Sequence, residues 1–195
     1  MKRSRRWLRE NLAATDLHEL LSLDKETGEL VWKERDRRWF RSDRDWKAWN
    51  TLYAGKSALS VKVRAGTCEY YSGTLLGCPI HAHVVIVAML TNRWPEGDVD
   101  HDDGDGLNNR PNNLFEVTHQ QNLKNSRLRK NNTSGETNVF YVPEFSNWRA
   151  AIKVDGKRKH LGCFPTKEEA VAARDAAYKR YGFHPNHGTV RKQPE

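Results

Sequence analysis

The longest unbroken apolar run in this chain is the seven-residue segment Val84 to Leu90; all other apolar residues come in shorter runs, cut by charge, glycine or asparagine. A bilayer-spanning helix needs about 18 such residues, so no membrane segment is expected. A chain divided this finely predicts short strands, hairpins and a few helices, an α+β protein. Its 195 residues are enough to bury a real core. Cys68, Cys78 and Cys163 form an odd set without a CxxC pair, which argues against a disulfide framework or a thiolate zinc site. A reducing, cytoplasmic compartment is expected, and the opening MKRSRRWLRENLAATDLHELL lacks the apolar stretch of a secretion signal.

Lys and Arg number 33 against 25 Asp and Glu, a net charge of +8. Residues 1–122 carry 18 basic and 18 acidic side chains, whereas residues 123–195 carry 15 and 7, so the whole excess is C-terminal. A one-signed field attracts polyanions, which makes double-stranded DNA the first partner to consider; a solvated basic surface is the plainer reading. Just upstream, Glu96, Asp98, Asp100, Asp102, Asp103 and Asp105 crowd into ten residues. Either a solvated turn or a bound cation relieves such repulsion. A calcium loop starting at Asp98 fails, because Asp103 stands where glycine is needed and Asn109 where glutamate is needed.

Along the chain, residues 1–80 read as an N-terminal α+β region. It has a helix ending near Leu21, a DKETG turn, a strand at LVWK, a Trp- and Arg-rich stretch whose Trp39, Trp46 and Trp49 read as packing residues, and strands at SALSVKV and CEYYSGTLL. HAHVVIVAML permits a strand or a buried helix. A DVDH strand, the polar loop DDGDGLNNRPNN, a second strand LFEV and a helix from Thr118 through about Arg129, opened by the capping box THQQ, complete residues 81–129. The polar segment 130–137 reads as a linker. Residues 138–195 predict strands at NVFYV and NWRAAIKV, an Asp155-Gly156 hairpin into KRKHLGCF, and a helix from Thr166 to Gly182. In the second strand Trp148, Ala150, Ile152 and Val154 alternate with Arg149, Ala151 and Lys153, giving one packed and one basic face.

The segment VDHDDGDGLNNRPNNLFEVTHQQN, with Asp100 directly before His101 and then Asn113 and Asn122, resembles the HNH signature of homing endonucleases, the ββα-metal finger. The resemblance implies a phosphodiester hydrolase of the phage type. Cutting a phosphodiester needs a nucleophile made from water and neutralisation of charge on the phosphoryl and leaving oxygens. His101, with a reference pKa near ~6.5, suits the general base, and activity is expected to fade below about pH 6.5. Asp100 and Asn122 offer hard oxygens to Mg²⁺ or Mn²⁺. Asn113 takes the family's role of holding the loop and orienting the imidazole. Neighbours in a regular strand point to opposite faces, so the strand must end or distort at His101, with Gly104 and Gly106 supplying backbone freedom. His119 stands near Asn122 without an assigned role, and His81 and His83 read as packing residues.

NWRAAIKVDGKRKHLGCFPTKEEAVAARDAAY resembles the APETALA-two DNA-binding domain of plant ethylene-response factors, which implies a three-stranded antiparallel sheet packed on one helix and entering the major groove. Trp148, Arg149, Lys153, Lys157 and Arg158 fall at its DNA-contacting positions, while the first strand TNVFYV lacks the Gly and Arg used there. The whole reads as a metal-dependent HNH DNA endonuclease, a monomer without an organic cofactor, acting in a bacterial host's cytoplasm if phage-encoded. The alternatives are a DNA-binding regulator with an inert finger and an RNA-processing nuclease.

Overall fold

In the computed structural model, which describes residues 4–66, 68–125, 128, 132–184 and 187–188, contacts gather into two units, Met1–Glu116 and Val117–Glu195. In the first unit α1 spans Arg5–Asn11, its N-cap Ser4 accepting a hydrogen bond from the Trp7 N–H. The single helix expected to end near Leu21 is instead broken. Leu12 is extended, a 3-10 turn covers Ala14–Asp16, α2 is only Leu17–Leu20, and the chain enters β1, Leu21–Leu23. The leucine spacing explains the break. Leu8 and Leu17 would sit about 180° apart on one continuous helix, yet both are fully buried, so the chain bends to put both in the core.

β1 pairs antiparallel with β2, Leu30–Trp32, across a turn in which the Asp24 carboxylate accepts the Glu26 N–H and Gly28 takes a φ of 77°. Helix α3, Asp43–Tyr53, is capped by Ser42. Trp39 and Trp49 pack against the core, and the Arg35 guanidinium lies 3.7 Å from the Trp49 ring centroid. Strands β3 (Val61–Ala65), β4 (Cys68–Leu75) and β5 (Cys78–His81) form an antiparallel sheet in that order. The apolar run that left strand and helix open is α4, Ala82–Thr91, and Val85, Ile86 and Ala88 on it are fully buried. A helix enclosed on all sides loses the polar stripe that periodicity would detect. Strands β6 (Asp98–His101) and β7 (Leu114–Val117) form a two-stranded sheet.

In the second unit α5 covers His119–Leu123, and Thr118 and Gln121 make the expected capping box. The helix is shorter than the reading through Arg129. Lys124 caps its end, its ammonium donates to the Tyr181 carbonyl, and residues 126–127 and 129 lie outside the described residues. Strands β8 (Val139–Val142), β9 (Asn147–Val154) and β10 (Lys157–Phe164) form an antiparallel sheet in the order β10-β9-β8. Asp155 and Gly156 both take positive φ, 50° and 76°, as a tight two-residue hairpin requires. Helix α6, Lys167–Tyr181, is capped by Thr166 and stopped by left-handed Gly182; its Ala170, Ala177 and Tyr178 are buried with Val139, Ala150, Ile152 and Val154. Residues 132–137, part of the polar segment, are tied back to α6: Arg174 donates to the Glu136 carboxylate and to the Thr137 carbonyl. Among the described residues no helix is long and apolar enough to cross a membrane.

Candidate active site

The loop between β6 and β7 is built by its own polar side chains. Strand β6 stops at His101, as the alternation argument requires. The Gly104 N–H donates to the His101 carbonyl at 2.8 Å, and Gly104 takes a φ of 68°. Gly106 has a different purpose from the one expected. It does not take a positive φ; instead a Cβ there would run into the Glu69 carbonyl oxygen and lie 2.7 Å from the Tyr70 ring, so the loop lies flush against β4. Asn113 is the loop's tie. Its Oδ1 accepts the Asp103 N–H, and its Nδ2 donates to Asp103 Oδ1 and to the Asn108 carbonyl. Asp103 also accepts from the Asp105 N–H and the Asn108 amide. Burial pushes the Asp103 carboxyl up, but the Asn108, Asp105 and Asn113 donors outweigh it and hold the group below the usual range.

His101 is 3 % exposed. Its Nε2 lies 3.1 Å from Asn109 Oδ1, and an amide oxygen can only accept, so Nε2 carries the hydrogen and Nδ1 the lone pair. The residue on the ring is thus Asn109, whereas Asn113, expected both to hold the loop and to orient the imidazole, supplies the loop bonds. In the sequence Asn109 stands out only as a mismatch to a calcium loop. The available signal is that a buried histidine needs a fixed partner for one ring nitrogen, and the loop has several amides to offer.

Around His101 lies an aromatic pocket. The His83 ring meets it edge-on at 5.0 Å, Tyr70 lies at 6.0 Å, and His81 stacks on His83 at 5.3 Å. His81 and His83 therefore pack as expected, and Nδ1 of each is buried with no hydrogen-bond partner among the described residues. Burial, then the neighbouring His101, push the His83 imidazole down to about 3. Burial also lowers His101 below its ordinary value, against the opposing pull of Asn109, Asp103, Asp100 and Asp105. The neutral, proton-accepting ring thus persists below pH 6.5.

Asp100 sits at the end of β6, its Oδ1 accepting the His101 N–H at 2.9 Å. The first unit therefore brings Asp100, His101 and Asn113 together, while Asn122 and His119 stand on α5 in the second unit. Among the described residues no three His, Cys, Asp or Glu side chains are grouped to hold a metal ion. The donors of Asp100 and Asn122, a carboxylate and an amide carbonyl, have the hard-oxygen chemistry of magnesium, which commonly takes one or two carboxylates and fills its shell from water and phosphate.

In the second unit, residues paired across strands share a face. Phe140 and Cys163 each pair with Arg149, Lys153 faces Arg158, and Ala151 faces His160. This is the side away from α6. The Arg158 guanidinium lies 5.5 Å from the Phe140 ring centroid, and Arg149 Nε is buried with no hydrogen-bond partner among the described residues. Ala151, on the same side, is buried rather than exposed. Trp148 has the opposite parity and packs with Val139, Ala150 and Ala170. Lys157, opposite Val154, shares that parity at the hairpin end.

Residues 81–124 match the HNH endonuclease family. The match supports nuclease activity, implies a nucleic acid substrate, and spans Asp100, His101, Asn113 and Asn122. No curated protein and no solved structure matches the chain.

Proposed function

We propose that the protein is a divalent-metal-dependent DNA endonuclease in which His101 is the general base. The observation that carries this reading is the His101 ring, directly after Asp100 and bonded to Asn109, on a loop tied by Asn113 within the family match. His101 Nδ1 takes a proton from a water whose oxygen attacks the phosphorus, the bond from phosphorus to the 3′ oxygen breaks, and the departing 3′ alkoxide takes a proton from solvent water, leaving a 5′ phosphate and a 3′ hydroxyl. Asp100 and Asn122 are the residues that would hold Mg²⁺ or Mn²⁺, whose chemistry there is neutralisation of the charge growing on the phosphoryl and leaving oxygens. Asn113 keeps the loop in one shape throughout.

The open sheet face positions the DNA. Arg149, Lys153 and Arg158 meet the backbone, with Lys157 at the hairpin end; Arg149 Nε, which has no partner among the described residues, is a donor available to an acceptor. Trp148 shapes the sheet from its packed side. The likeness to APETALA-two domains, the phage origin and the homing role belong to this proposal.

A second reading, a DNA-binding regulator with an inert finger, draws support from the burial of His101, since a base must reach water. Supercoiled plasmid incubated with the protein and Mg²⁺ or Mn²⁺, with and without chelator, separates the two. The nuclease converts it to nicked or linear DNA only without chelator, and the regulator leaves it intact in both. A parallel RNA substrate tests the third alternative.

A further inference from the structure

We propose that the turn joining β1 and β2 positions the base of the nuclease, acting on the His101 ring through Asn109. This rests on the nuclease reading and gives part of residues 1–80 a task in the chemistry. The turn is a rigid object. Asp24 exchanges backbone bonds with Glu29 and Gly28 at 2.9 Å each, its carboxylate accepts the Glu26 and Thr27 N–H groups, and the strands on either side are anchored by buried Leu21, Leu30 and Trp32.

At its tip Gly28 lies directly on the loop backbone. A Cβ there would run into the carbonyl carbon and oxygen of Asn109 and lie 2.9 Å from the Arg110 nitrogen. Backbone on backbone cannot yield as a flexible side chain would. The same loop also rests on β4 through Gly106. The loop thus meets the N-terminal region at two places, Gly106 and Asn109–Arg110, and the residue under Gly28 is the one whose Oδ1 holds His101 Nε2. Asn109 is 5 % exposed, which leaves little water to substitute for that bond.

Asn109 and Gly28 are positioning residues, since neither touches DNA or the reacting atoms. With Asn109 in place the ring keeps its hydrogen on Nε2 and presents the Nδ1 lone pair to the attacking water. Without it the ring can turn or change tautomer.

The test uses the full chain in five variants. Single-turnover cleavage of plasmid DNA, DNA affinity, and the ¹⁵N resonances of the His101 ring, which report the tautomer without any cleavage, are measured for each. Asn109→Ala is expected to lower the cleavage rate about 10- to 100-fold, the range for lost orienting partners, with DNA affinity within about twofold and loss of the Nε2–H signature. Asn109→Asp, which keeps an acceptor oxygen, retains that signature. Gly28→Ala behaves like Asn109→Ala, whereas Gly55→Ala, at a φ of 76° with nothing within 4 Å, carries the same backbone strain without the clash and cleaves like the parent. Asp24→Ala, which loosens the turn without adding bulk, gives a fall of about two- to fivefold and carries the turn's part of the test if Gly28→Ala does not fold.

An unchanged cleavage rate and tautomer in Asn109→Ala overturn the proposal. So do equal rates in Gly28→Ala and Gly55→Ala, or, where Gly28→Ala does not fold, an unaltered rate in Asp24→Ala. A parent protein that leaves DNA intact overturns the nuclease reading instead, and the ring resonances then decide the positioning claim alone.

Discussion

In the loop from Asp102 to Asn113 the amides and carboxylates turn on one another: Asp103 receives Asn108, Asn113 and the Asp105 backbone, and Asn109 receives the His101 ring. On the open face of β9 and β10 the polar groups do the reverse, with Lys153, Arg158 and His160 exposed and Arg149 Nε without a partner among the described residues. One region uses its hydrogen bonds to hold a shape; the other leaves polar groups open, as the proposed DNA contact requires. Disturbing the first should alter rate or stability with little change in affinity, and disturbing the second should alter affinity with little change in rate.

The largest effect is expected at His101. Replacing it by alanine removes the base and should lower the single-turnover rate by about 10²–10⁴-fold, with DNA binding within about twofold. Next comes Asn113→Ala, which removes three loop hydrogen bonds and leaves partners inside the protein unsatisfied. The first unit should lose about 2–4 kcal/mol in urea unfolding followed by tryptophan fluorescence. Arg149→Ala and Lys153→Ala should each weaken DNA binding about tenfold at 0.1 M salt and flatten the log–log salt slope by about 0.9, leaving the rate at saturating protein unaltered. A mutant that changed rate and affinity equally would erase the distinction between the two regions.

A pH dependence of stability is expected as well. His83, 7 % exposed, has its folded value pushed to about 3, below the ordinary 6.5. Between those values the unfolded chain binds the proton that the folded chain refuses. Stability is therefore level above pH 6.5 and falls as pH drops toward 3, with a limiting slope of about 1.4 kcal/mol per pH unit. Urea midpoints of the parent and of His83→Leu between pH 7 and pH 4.5 measure it; the substitution should make the slope shallower, leaving the part contributed by His81 and His101, whose imidazoles burial also lowers.

The open sheet face was legible because a strand repeats every two residues, so Arg149 and Lys153 fell on one side and Ile152 and Val154 on the other. Alternation did not foresee buried Ala151, since it assigns sides and not how deeply each is covered. The strand–loop–strand order around His101 was legible from turn residues and the capping box at Thr118. The helix of Val85 and Ile86 was not, because full enclosure removes the polar stripe. Nor was the break after Asn11, which follows from burying Leu8 and Leu17 together. Asn109 and Gly28 were illegible for a deeper reason: their roles arise from contact across some eighty residues of chain, from 28 to 109, which no local spacing encodes.

The most direct measurement follows cleaved and bound DNA in the same sample, comparing the parent with His101→Ala in saturating protein and Mg²⁺. The expected result is chelator-sensitive cleavage by the parent and bound but intact DNA with the variant. Equal cleavage by both proteins, or none by the parent with any divalent cation, would contradict the assignment of His101 as the base.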